Sequence, residues 1–441
     1  MAKRNYSSKR STSSKIKRGL KRPVKKTLAA LSRKSSGFKR LYRSFKIRFR
    51  KHKFNKFDKL PVDGRVVVFE AFSGREYADS PRAIYEYMVN SPDYEDYRFV
   101  WVFKDRCMDK YLFLEQNPRT SLVLWGTPDH YRTYATAGYW ITNTWVIMAM
   151  KRKPEQTYVQ CWHGTPLKRL GFDIEVDRTK FKKEPDNARE VFETDARKYS
   201  YMVSPSAYAT EKFISAFNLR ELGKEDIIIE EGYPRNDYLV NYKPEDVGRI
   251  RSSLGIPEGK KVILYAPTFR DDQRGKGKEY HYESPLDFGH LQEVLGDEYV
   301  ILFRAHYYVA NAFNFEDYDG FVINASSYPE INELYVASDM LITDYSSVFF
   351  DYGVLKRPML FYMYDLENYA NNLRGFYMGI DELPGPIVKT QAELEKSLTT
   401  VDKWFESEEY RDKYRKFNEK FTYLEDGHAA ERVVKRVFES R

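Results

Sequence analysis

At 441 residues, 42% of them apolar, the chain exceeds one typical domain and has the size of two plus a tail. Its net charge of +9 hides an asymmetry: residues 1–60 hold 23 Lys or Arg against one acid, Asp58, while the remainder holds 50 basic and 63 acidic residues. Only Cys107 and Cys161 are present, far apart, which argues against a disulfide scaffold and a cysteine-bound structural zinc.

The chain begins with MAKRNYSSKRSTSSKIKRGLKRPVKK, rich in Ser, Lys and Arg and poor in apolar residues, as in disordered leaders. TLAALSRKSSGFKRLYRSFKIRFRKHKF follows, mixing Leu, Phe, Tyr and Ile with cations. Three readings stay open for residues 1–60: an amphipathic helix on an anionic membrane surface, a phosphate-binding arm for nucleic acid, or a solvated tail. No run reaches the roughly 18 apolar residues that span a bilayer. The longest, YWITNTWVIMAM (Tyr139–Met150), is short and interrupted, and the leader has no signal-peptide apolar stretch. Membrane association is therefore expected to be peripheral.

From residue 65 short apolar runs alternate with amphipathic segments. RVVVFEAF, RFVWVF, SLVLWG, TYVQCW, YMVSPS and IIIEEGY predict strands, with helices such as SPRAIYEYMVN and SAYATEKFISAF between them. A polar stretch at residues 238–261 separates these from a second series: KKVILYAPTF, EYVILFRAH, GFVINAS, DMLITD and RPMLFYMYD. INELYVAS and SSVFFDYGVL read as helices within it, and the region from Gln391 as a helical close. The organisation predicted is a basic leader over 1–60, a first α/β domain over 61–240 and a second over 241–441. Alternation of this kind predicts doubly wound parallel sheets, whose ligands sit beyond the carboxyl ends of the strands.

Five predicted strands end in polar clusters: His163-Gly164-Thr165-Pro166-Leu167, Pro234-Arg235-Asn236-Asp237, Pro267-Thr268-Phe269-Arg270, Arg304-Ala305-His306 and Asp344-Tyr345-Ser346-Ser347. Taken singly, an Arg after a strand is a solvated cation, a lone His is structural, and Ser-Ser is a helix cap. Five clusters at the same end of the sheets point instead to a cleft that handles phosphate. Ser346 and Ser347 open a helix whose free N–H groups attract anions. Asp351, four residues on, shares a face with Ser347 and orients a hydroxyl or ribose. Arg235 and Arg304 offer planar bidentate donors to phosphate oxygens. His163 and His306, one from each half, are placed to meet across the cleft. No GxxxxGK[ST] loop, HExxH or His/Cys metal spacing is found, so no metal site is expected.

At WHGTPLKRLGFD, SPSAYATEKF, GYPRNDYL, YAPTFRDD, FRAH and TDYSSVFFDYGVLKRP the sequence resembles the CDP-glycerol glycerophosphotransferase family, which builds glycerol-phosphate teichoic acids and related capsule polymers. The resemblance covers roughly residues 65–390 and leaves the basic leader outside. It implies a GT-B-like fold of two Rossmann-like domains. It also implies transfer of glycerol phosphate from CDP-glycerol to a hydroxyl of a membrane-lipid-linked acceptor, with release of CMP. Carried over, His163 and His306 are catalytic; His163 is assigned as base, with the exchange of the two roles left open. Gly164, Thr165, Pro166, Leu167, Arg235, Pro267, Thr268, Arg304, Ala305, Ser346, Ser347 and Asp351 contact the donor. No cofactor beyond the donor is implied and no nucleic-acid partner. The enzyme is expected on the cytoplasmic face of the membrane, held to its anionic surface by residues 1–60. The alternatives are a CDP-ribitol phosphotransferase and a GT-B glycosyltransferase using a nucleotide sugar.

Overall fold

The computed structural model describes residues 36–174, 188–268, 284–305, 313–366 and 375–439. Among them, thirteen strands form two all-parallel sheets. The first comprises β1 (Asp63–Glu70), β2 (Arg98–Phe103), β3 (Thr120–Leu124), β4 (Ala137–Thr142), β5 (Thr157–Gln160), β6 (Tyr201–Ser204) and β7 (Ile228–Glu230), in the order β3-β2-β1-β4-β5-β6-β7. The second comprises β8 (Lys261–Ala266), β9 (Tyr299–Phe303), β10 (Val322–Asn324), β11 (Met340–Thr343), β12 (Met359–Tyr362) and β13 (Ile387–Val388), in the order β10-β9-β8-β11-β12-β13. Both orders reverse after their first strand, at β1/β4 and β8/β11, and such a reversal opens a crevice beyond the carboxyl ends. This is the expected GT-B-like architecture of two Rossmann-like domains.

The central strands are apolar throughout because helices cover both faces, so no inward–outward alternation is required. Strand β4 was not among the predicted strands, because the helix Pro128–Thr136 runs into it with no intervening turn. Its sequence AGYWIT is buried at every position, and it begins the Tyr139–Met150 run that sequence reading weighed only for its length. The short β13 also escaped.

The two domains are tied together by crossings of the chain. The last helix, Ala429–Phe438, assigned by sequence order to the second domain, packs Val433, Val434 and Val437 into the core of the first. Phe438 there stacks on Tyr139 at 4.2 Å. Its first turn is held by Asp237 of GYPRND, whose two carboxylate oxygens accept from Ala429 N and Ala430 N at 2.8 Å each. A carboxylate at a helix N-terminus satisfies donors that have no partner within the helix.

The basic segment forms helix α1 (Ser36–Asn55), which docks by its end: Phe54 is fully buried in the cluster that contains Tyr131 and Tyr134. Residues 1–35 lie outside the described residues, so the disorder expected for them does too.

Candidate active site

The loop after β5 carries His163. Trp162 before it takes a left-handed backbone (φ 51°), with its N–H held by the Gln160 side chain at 3.0 Å. This conformation is costly for a bulky residue and turns the chain sharply away from the sheet. His163 Nδ1 lies 2.8 Å from the Asn143 carbonyl, just past β4. A carbonyl only accepts, so Nδ1 carries the hydrogen and Nε2 keeps its lone pair in the neutral ring. Phe72, after β1, meets the imidazole edge at 6.3 Å. The ring is open to the cleft, yet the surrounding walls displace most of the water around it. That desolvation lowers its pKa from the ordinary 6.5, outweighing the opposing effects of the Asn143 hydrogen bond and of Asp79.

Opposite stands Arg304, after β9. Its Nη1 donates to two carbonyls, Ala325 O at 3.0 Å and Tyr328 O at 2.7 Å. No carboxylate among the described residues pairs with it, and burial lowers its pKa from the ordinary arginine value. A buried guanidinium oriented by neutral dipoles retains its charge for an incoming anion. Between His163 and Arg304 lies a cavity of about 750 Å³. Gly164, Thr165, Pro166, Leu167, Pro267, Thr268, Ala305, Ser346 and Ser347 also line it. The Gly164 backbone approaches Ser347 closely: a Cβ on Gly164 would sit 3.2 Å from Ser347 Oγ. The buried Asp344 ties two loops at the cleft floor, accepting from Thr268 N at 2.8 Å and Tyr345 N at 2.6 Å through one oxygen.

Two of the predicted residues, Arg235 and Asp351, are placed otherwise. His306 lies outside the described residues. Arg235 has carboxylates where phosphate oxygens were expected: Nη1 reaches both oxygens of Asp79 at 3.3 and 3.2 Å, and Nη2 both oxygens of Asp351 at 3.0 Å. Asp351 is correspondingly engaged by Arg235 and by Asn236 Nδ2 at 3.1 Å, leaving the hydroxyl-orienting role expected of it without support in this geometry. Both still line a smaller cavity of about 200 Å³ that also borders His163 and Arg304. The helix after Ser347 is shorter than predicted: Val348–Tyr352, then a 3-10 turn over Gly353–Leu355. Lys168 and Arg169, the cations of the same loop, lie in a strap to the second domain. Lys168 bridges Phe376, and Arg169 N donates to Gly375 O at 3.1 Å.

Sequence reading missed Asn143, Asp79 and Glu330. Asp79 opens helix α2 (Asp79–Asn90) with a left-handed backbone (φ 65°), and its N–H donates to the buried Glu330 at 3.1 Å across the domain boundary. Asn143 had a signal available, since it directly follows an apolar run. For Asp79 and Glu330 the partners lie 156 and 251 residues away.

A sequence profile of the CDP-Glycerol:Poly(glycerophosphate) glycerophosphotransferase family matches residues 53–439. The chain belongs to this family. It is 38% identical to the teichoic acid glycerol-phosphate transferase of Staphylococcus aureus over 388 residues, 87% of this chain and 95% of that protein. It is 41% identical to the teichoic acid poly(glycerol phosphate) polymerase of Staphylococcus epidermidis over 375 residues, 84% of this chain but 50% of the relative. The chain thus spans about half the length of that polymerase. A solved structure of the wall teichoic acid polymerase TagF superposes with a TM-score of 0.79 at 38% identity, covering 90% of this chain and 98% of that one.

Proposed function

We propose that this glycerophosphotransferase-family chain transfers glycerol phosphate from CDP-glycerol to a hydroxyl of a membrane-lipid-linked acceptor in teichoic acid synthesis. The observation that carries the proposal is the cleft itself. An imidazole with an available Nε2 faces a guanidinium that has no carboxylate partner among the described residues, across space for a nucleoside diphosphate ester. The acceptor hydroxyl gives its proton to His163 Nε2, and its oxygen bonds to the phosphorus that bears glycerol. The bond from that phosphorus to the bridging oxygen breaks, and CMP departs with the electron pair. Arg304 balances the negative charge on the diphosphate throughout. The family resemblance adds His306 to that charge stabilisation, and the Ser346–Ser347 turn offers hydrogen-bond donors. Positioning and electrostatics dominate such transfers. CDP-glycerol enters as donor substrate, and the reading invokes no cofactor. Relatives at 38% identity and above that are named for glycerol phosphate support a glycerol donor over a ribitol one.

The same proposal places the enzyme on the cytoplasmic face of the membrane. No helix among the described residues is long and apolar enough to cross a bilayer. Helix α1 exposes Leu41, Phe45 and Phe49, 70%, 68% and 51% accessible and four residues apart, on a segment with eight Lys or Arg and no acid. An apolar stripe flanked by cations suits an anionic lipid surface. Sedimentation with anionic vesicles should lose the protein when Phe45 and Phe49 are both replaced by Ser. Undiminished sedimentation would remove α1 from the interface.

Activity is tested by following nucleotide release from CDP-glycerol, CDP-ribitol and UDP-sugars with a lipid-linked acceptor. CMP release from CDP-glycerol in preference to the others is expected. Turnover of CDP-ribitol alone, or of a UDP-sugar alone, would replace the proposed reaction.

A further inference from the structure

A second group of cations leads away from the cleft along the carboxyl edge of the first sheet. Arg75, in the loop after β1, lines the large cavity together with Phe72 and donates from Nε to the Phe72 carbonyl at 2.8 Å. The neighbouring Gly74 accepts from Lys104 N at 2.7 Å, which fastens this loop to the end of β2. Gly74 has φ +76°, and a Cβ there would lie 3.1 Å from Val102 O, so the close approach of the two loops depends on glycine. The Lys104 ammonium lies over the Trp125 ring at 5.9 Å, just beyond β3. Arg50 of helix α1 lies over that same ring at 5.4 Å. Contacts therefore run from α1 through Trp125 and Lys104 to Gly74, whose neighbour Arg75 lines the cavity.

The manner in which Arg50 and Arg75 are held resembles Arg304. Neither Arg50 nor Arg75 pairs with a carboxylate among the described residues; an aromatic face and a carbonyl orient them. Such partners orient a cation while leaving most of its charge uncompensated. Glu76, the acid on the cavity side, accepts from Tyr111 OH at 2.6 Å. The geometry points to a track for a polyanion that reaches the cleft from the side on which α1 docks. We infer that Arg50, Lys104 and Arg75 guide the phosphate-bearing acceptor, a phosphodiester chain ending in a free hydroxyl, toward His163. This rests on the glycerophosphotransferase reading and assigns the acceptor side, whereas Arg304 serves the donor.

The test uses the full chain and a soluble glycerol-phosphate oligomer with a free terminal hydroxyl, so that binding to lipid does not contribute. The double variant Arg50→Gln/Lys104→Gln is compared with wild type, and Lys104→Arg serves as the conservative variant. Thermal unfolding checks that each remains folded. For the double variant, the KM for the oligomer should rise at least about tenfold and that for CDP-glycerol should stay within about twofold. Lys104→Arg should keep wild-type values. Added salt should weaken oligomer binding to wild type more than to the double variant, because screening acts on the charges removed. An unchanged oligomer KM, or an equal rise for donor and oligomer, overturns the inference. So does a wild-type enzyme that consumes CDP-glycerol without binding the oligomer. Failure of the wild type to bind or turn over CDP-glycerol would instead strike at the glycerophosphotransferase reading itself.

Discussion

Arg235 and Arg304 look alike in sequence, each just beyond an apolar strand, but the structure gives them different surroundings. Arg235 lies at the boundary between the domains, clamped by Asp79 of the first and Asp351 of the second, with its guanidinium over Tyr233 at 4.3 Å. Those two carboxylates hold its pKa well above the ordinary arginine value against the opposing effect of burial. Arg304 faces the cleft, where main-chain carbonyls orient it and burial shifts its pKa the other way. Carboxylate partners orient a cation and cancel its charge; carbonyl partners orient it and leave the charge in place. His163 follows the second pattern, since its Nδ1–H is held by a carbonyl. The boundary is thus equipped for cohesion and the cleft for chemistry.

Substitutions can break that distinction or sharpen it. His163→Ala should lower CMP release by about 10²–10⁴-fold with little effect on unfolding, because it removes the base without leaving a charge unpaired. In the wild type the lowered pKa keeps the imidazole neutral at pH 7. The acidic fall in turnover should therefore appear below pH 6.5 as His163 takes up a proton. A fall centred above that value would remove His163 from the role of base.

Arg235→Met should be felt first in stability. It leaves Asp79 and Asp351 buried without their cation, a loss of about 3–5 kcal/mol measurable by denaturant unfolding. Wild-type stability with lost donor affinity would return Arg235 to the phosphate-binding role expected from sequence, and the contrast with Arg304 would collapse.

Arg304→Gln should behave in the opposite way. The KM for CDP-glycerol should rise about 10–100-fold, the worth of a charge-assisted contact, while the unfolding midpoint stays near wild type. A large loss of stability with unchanged KM would make Arg304 structural.

A pH-dependent effect concerns Glu425, beside the boundary. Its Oε1 accepts from Tyr233 N and from Asn236 Nδ2 at 3.1 Å each, while burial raises its pKa from 4.5 to about 8. The folded protein therefore keeps a proton that the unfolded chain has already lost. Stability from this group is full below pH 4.5 and declines as the pH rises toward about 8. Glu425→Gln should flatten that decline in unfolding measurements across the interval. An identical slope in both proteins would show that Glu425 is ionised when folded.

Much was legible from local pattern. Apolar runs between turns announced most strands, and the polar residues after them marked one end of each sheet, where eleven of the predicted site residues line a single cavity. Strand β4 was illegible because it follows the helix Pro128–Thr136 directly, with no turn residues to mark its start. The sequence by itself therefore determined the two α/β series, the basic segment and the residue types that meet in the cleft. Tertiary structure alone decided which of two similar arginines is neutralised, which nitrogen of His163 is left to act, and to which domain the last helix belongs. The first of those depends on Asp79 and Asp351, separated from Arg235 by 156 and 116 residues. Their distance in the folded chain leaves no trace in local spacing, yet it sets whether a charge is cancelled or kept for a ligand.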